Sequence, residues 1–186
     1  MKAPPMTCRR LALLPLLLAA APAPDPVTIQ TARASLAGEW RGKLEYRDYG
    51  ADRWFGLPVT VTIEAVPDGR TLIRKAAFDD GPRVGTVHIT SVALFDPATS
   101  RETSASFRAG RPVEPDTATL RLAASGDATH WTLIEERDGQ DDDRPARIRE
   151  TSVRDGAVLT TLKEVDFSDD GKAEWLVRNR TTLTRR

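Results

Sequence analysis

Hydrophobic and polar residues alternate one by one through most of this chain. Gly38, Trp40, Gly42, Leu44 and Tyr46 take every second position, and Glu39, Arg41, Lys43, Glu45 and Arg47 fill the places between. A period of two puts successive side chains on opposite faces of an extended strand, so the charged set meets water and the other set faces a core. Val59, Val61 and Ile63 repeat the pattern against Thr60, Thr62 and Glu64. Val87, Ile89, Ala93 and Phe95 repeat it again, and Trp175, Val177 and Leu183 are expected to share one face of the last strand, opposite Leu176, Arg178 and Arg180. No stretch after Leu36 keeps a helical period.

Turn signals divide the alternating runs. Asp-Gly occurs at Asp68-Gly69, Asp80-Gly81, Asp138-Gly139, Asp155-Gly156 and Asp170-Gly171, and it suits the tight turns that join antiparallel strands. Between the turns the pattern predicts strands at 36–48, 57–66, 70–78, 84–95, 101–108, 116–124, 129–137, 146–154, 157–167 and 173–184. About ten strands, one buried face each and short connections predict an all-β fold, an antiparallel up-and-down β-barrel. A two-sheet β-sandwich is the alternative, and it needs longer crossing connections than the sequence offers. Residues 109–116 and the acidic stretch 138–145 (DGQDDDRP) are expected as loops.

The first residues follow a different rule. Lys2, Arg9 and Arg10 precede an apolar run from Leu11 to Ala21, and Ala19, Ala20, Ala21 and Ala23 supply small residues beyond it. That three-part order predicts a signal peptide at 1–23, with export to the periplasm or beyond. An Ala/Pro-rich tether is expected at 24–35, with a short helical piece near 28–36, and a single barrel domain at 36–186.

Composition narrows the classes. The chain of 186 residues has 27 basic and 27 acidic side chains, and loss of the leader would leave 24 against 27, which excludes a strongly basic nucleic-acid binder. The one cysteine, Cys8, falls in the leader, so thiol catalysis and thiolate metal sites are not expected in the mature form. No cofactor and no membrane-spanning helix are expected after cleavage.

Gly38-Glu39-Trp40 on the first long strand resembles the opening of the calycin barrels, which include the lipocalins and fatty-acid-binding proteins. The resemblance implies that Trp40 closes the barrel floor and that a basic residue of a late strand, Arg178 or Arg180, packs across it. The run Trp40 to Tyr49 also resembles exported bacterial proteins of unassigned function.

Candidate chemistry is sparse. His88 and His130 lack the spacing of metal ligands and are expected at the surface or rim. Glu135 and Glu136 are neighbours on a strand and must point to opposite faces. If Asp155-Gly156 centres its hairpin, Glu150 falls near Thr161 and does not pair with Glu164; these carboxylates are expected to be solvated. Asp141-Asp142-Asp143 lacks the ligand spacing of a calcium loop. Tyr46, Asp48, Tyr49 and Trp54 form the most suggestive cluster, because aromatic bodies with a few polar groups at a barrel mouth suit a small ligand. Trp40, Leu44, Val61 and Phe107 suggest an apolar lumen. The reading is a non-catalytic binder of a small, mainly apolar ligand. An envelope interaction module or inhibitor with a packed lumen stands second, and a hydrolase or isomerase using barrel-mouth carboxylates third.

Overall fold

A computed structural model describes residues 26–113 and 115–186; the expected leader and Cys8 lie outside them. The elements are α1 (Ile29–Ala34), β1 (Gly38–Asp48), β2 (Arg53–Ala65), β3 (Thr71–Asp79), β4 (Thr86–Asp96), β5 (Arg101–Arg108), β6 (Pro115–Asp127), β7 (His130–Asp141), β8 (Arg144–Asp155), β9 (Val158–Phe167) and β10 (Leu176–Arg185). Every strand pairs antiparallel with its chain neighbours, and β10 pairs back onto β1, so the sheet closes as an up-and-down barrel. The sandwich is thereby excluded. No helix among the described residues is long and apolar enough to cross a membrane.

One end of the barrel is plugged. Thr28 caps α1 through a reciprocal pair with Thr31. The short helix lays Ala32 and Arg33 into the barrel end, where both are buried. Around them pack Trp40, Val61, Ile63, Phe95, Ala118, Leu120, Trp131, Leu159 and Leu183, the main apolar core. The indole Nε1 of Trp40 donates to the Leu36 carbonyl at 2.8 Å, and that of Trp131 donates to Ser35 Oγ at 3.2 Å and to the Ala128 carbonyl at 3.1 Å. A second small core of Ala146, Ile148, Val165 and Phe167 sits at the other end, between β8 and β9.

Two local expectations change. Asp138-Gly139 is not a turn: β7 runs on to Asp141 and pairs with β8 as far as Asp141↔Arg144. The turn is made by Asp142 and Asp143, both at positive φ (52° and 59°), a conformation that aspartate tolerates better than most residues. In β10 the register shifts between Val177 and Asn179. A bulge changes the inside-outside parity, so Trp175 and Leu183 do not share a face. Leu183 is buried in the lumen core, whereas Trp175 lies under the guanidiniums of Arg147 and Arg149 at 5.1 and 3.9 Å.

Two glycines flank Trp40 for steric reasons. Gly38 has φ of 136°, which side-chain-bearing residues rarely adopt. At Gly42 a Cβ would sit 1.8 Å from the Thr182 carbonyl oxygen on β10. The β1–β10 seam therefore closes only because position 42 has no side chain. Gly42→Ala is expected to destabilise the fold by about 1–3 kcal/mol, the usual cost of overpacking. Urea denaturation reads this directly, and an unchanged midpoint would show that the seam can spread without cost.

Candidate functional site

Inside-facing positions follow from the pleat. On β7, Glu135 and Arg137 are in phase with Trp131 and Leu133; on β8, Glu150 and Ser152 are in phase with Ile148; on β3, Arg74 is in phase with Leu72 and Ala76. All except Ala76 line a cavity of about 1020 Å³ that runs from the plug toward the far end. Its floor is apolar, and its walls carry the hydroxyls of Ser91, Ser104, Ser106, Ser152, Thr161 and Thr181. The expected apolar lumen is thus only about half apolar. Phe107 does not line it at all: Ser106 and Arg108 point inward, and Phe107 is exposed on the outer face.

The charged groups of the lumen are organised around arginine. Glu135 and Glu150 sit directly opposite each other on β7 and β8, an arrangement that is unfavourable for like charges. Arg137 relieves it. Its Nη1 donates to Glu135 and its Nη2 to Glu150, both at 3.0 Å, and its Nε lies 2.5 Å from Asp116. Near the plug, Arg33 pairs with Glu102, donates to the Arg70 carbonyl at 2.7 Å, and lies 5.4 Å from the Phe95 ring centre. Lys163 donates to Asp141 at 2.6 Å.

Burial and neighbouring charge shift these groups. Burial first, and the Glu150 charge second, push Glu135 up to about 7, against the pull of Arg137. Burial also raises Glu102, opposed by Arg33. Burial lowers the Arg74 pKa, with Glu150 opposing. Glu135 and Glu150, expected in solvent, are therefore lumen groups. Glu136 does point outward, where it accepts from Arg149 at 2.7 Å. The Asp155-Gly156 hairpin is two residues out of the expected register, so Glu150 faces Lys163 and Ser152 faces Thr161; Glu150 and Glu164 stay unpaired with each other.

The sequence-derived cluster does not form one surface. Tyr46 is at the mouth end of the lumen face and stacks on Phe55 at 5.6 Å. Its pKa is raised by burial and then by the Asp80 charge. Asp48 accepts from the Gly50 and Ala51 amides at 3.0 and 3.1 Å, which shapes the β1–β2 turn. Tyr49 donates its hydroxyl to the Val177 carbonyl. Trp54 lies on the outer face between Arg47 and Arg180, at 5.7 and 4.4 Å.

The floor arginines also differ from expectation. Arg154 and Arg185 stand over the Trp40 ring at 4.5 and 5.7 Å. Arg185 lies opposite Trp40 in the β1–β10 register and donates to the Ser35 and Ala37 carbonyls. Arg180 instead donates to Glu45 on the outer face, and Arg178 pairs with Asp141 and Asp142. Parity explains this: residue 185 is in phase with the lumen residues 181 and 183, and residue 180 is not. His88 is exposed, and His130 lies at the rim between Asp127 and Asp155, at 2.9 and 3.5 Å.

No family model matches the chain, and no curated protein matches it. Among solved structures it is similar to the crystal structure of Rv2717c from M. tuberculosis, with a TM-score of 0.56 and 16% identity over 87% of this chain and 99% of that one. A protein of unknown function from the DUF3598 family of Nostoc punctiforme PCC 73102 covers 86% of this chain at 10% identity, but its TM-score of 0.23 carries no argument. The likeness to Rv2717c speaks to the barrel alone.

The Glu135 shift has a consequence for stability. The fold holds its proton more tightly than the unfolded chain, so ionisation costs stability progressively from about pH 4.5 to about 7 and in full above that. Glu135→Gln is expected to be more stable than the parent at pH 8, by about 1–2 kcal/mol, and the difference should fade below pH 5. Urea midpoints at the two pH values check this; a gain equal at both would show that the charge of Glu135 is not the cause.

Proposed function

We propose that this protein is an exported, non-catalytic carrier that holds a small polar ligand inside its barrel. One observation carries the reading: a plugged barrel with an open lumen of about 1020 Å³, at the upper end of the range for small-molecule sites. The expectation of a mainly apolar ligand gives way here, because charged and hydroxyl side chains make up about half of the lumen surface. The open lumen also argues against an interaction module with a packed interior. Tyr46 at the mouth remains a candidate contact, whereas Asp48 and Tyr49 have turn and backbone partners.

A second reading has its own support. A lumen carboxyl pushed up to about 7 suits general acid–base work, as in a hydrolase or isomerase. Turnover lost in Glu135→Gln with the fold intact would favour it over a carrier.

Native mass spectrometry of the protein purified from its own host tests the carrier reading. A reproducible mass excess that disappears on denaturation is the expected result. A bare polypeptide mass, together with no binding from a small-metabolite extract, would overturn it.

A further inference from the structure

Inside its mouth, where Arg108, Arg111 and Asp138 are exposed, the lumen pairs most of its charges internally and leaves two sets over. Arg33 is matched by Glu102, and the Lys163 amine by Asp141. Arg137 is a single cation among three carboxylates, Asp116, Glu135 and Glu150, so that corner keeps an excess of negative charge. Arg74 has the opposite problem. It is half-buried, it lines the lumen, and it forms no ion pair with any described residue; Glu150 is the acid that acts on it across the cavity. A half-buried guanidinium without an ion-pair partner is unfavourable, and this one faces open space rather than packed side chains.

Resting on the carrier reading, we infer that the ligand is a small zwitterion, its amine held by Glu135 and Glu150 and its acid group held by Arg74. A simple acid would satisfy Arg74 and meet repulsion from the carboxylates. A simple amine would satisfy the carboxylates and leave Arg74 alone. A molecule with both ends complements both, and charge-assisted contacts are the strongest hydrogen bonds available to it. Arg108 and Arg111, exposed at the mouth, are placed to draw the acid end in.

The amine also takes the place of a proton. Glu135 on β7 is faced by Glu150 from β8, Asp116 from β6, Glu102 from β5 and its own neighbour Arg137. Arg74 from β3 and Lys163 from β9 flank Glu150, and Arg33 of α1 is taken up by Glu102. Arg137 already bridges the two glutamates, and a ligand cation adds a second positive charge beside them. Binding therefore releases a proton where Glu135 is protonated, and affinity rises with pH through about 7.

Titration calorimetry with glycine, γ-aminobutyrate and ε-aminocaproate, against butyrate and butylamine, tests the inference. At least one amino acid is expected to bind about tenfold more tightly than both single-charge controls. Its affinity should rise about tenfold from pH 6 to pH 8, as for one proton released near 7. Arg74→Gln should remove the preference for the acid end, and Glu135→Gln should remove the pH dependence, with thermal unfolding confirming that both variants fold. Equal binding of butyrate or butylamine, or a pH-independent affinity in the parent, overturns the zwitterion. So does an absence of binding by every probe. In that last case a ligand carried from the host would leave the carrier reading standing, and a bare protein would remove both.

Discussion

A sheet of ten strands closed on itself encloses more space than its own side chains can fill; about eight strands is the size that side chains fill comfortably. The rest of this structure is an answer to that excess. At one end the answer is a plug. Helix α1 enters the barrel and, with Trp40, Phe95 and Trp131, completes a packed apolar core. Toward the other end no such insertion exists among the described residues, and polar groups share the walls with a smaller apolar core. Water or a ligand can occupy a polar lumen, whereas an empty apolar one would sacrifice contacts on every side.

Arginine makes both halves possible. A planar guanidinium can serve several acceptors at once. Arg137 spans three carboxylates from three strands, and Arg33 joins the plug to Glu102 and to two backbone carbonyls. Arg185 and Arg154 lie over Trp40 and reach the carbonyls that end α1. A lysine at these places would supply charge without the fork. Apolar packing alone would hold the plug, but it would not fix its depth against the strand ends as these directed contacts do.

Strand number, order and most boundaries were legible in the sequence, because the alternation and the Asp-Gly turns act over a few residues. Errors fell where a local exception broke the period. At Asp142-Asp143 two aspartates take positive φ, so the turn lies beyond the Asp-Gly that seemed to mark it. In β10 one extra residue reverses the parity, which takes Trp175 off the face of Leu183; the floor arginine is Arg185 because it, and not Arg178 or Arg180, is in phase with Leu183. The lumen departs from its strand pattern for a different reason. A charged residue in a strand usually faces water, and Glu135, Glu150 and Arg74 do face it, but from within. Their signal was present: each stands in phase with apolar neighbours on its own strand. What could not be read was the width of the barrel, a property of all ten strands together.

The floor joins the two ends of the described chain. Trp40 on the first strand meets Arg185 on the last, and nothing in the hairpin-by-hairpin order of the barrel brings them together sooner. Ordering a chain this long to make one contact carries an entropic cost that only later contacts repay, and such topologies fold slowly. Folding should thus proceed as a growing open sheet whose two free edges, β1 and β10, stay unpaired until the last step. During that interval the edges are templates for strands of other chains. The seam that completes the barrel is also the place where a folding molecule is most exposed to its neighbours.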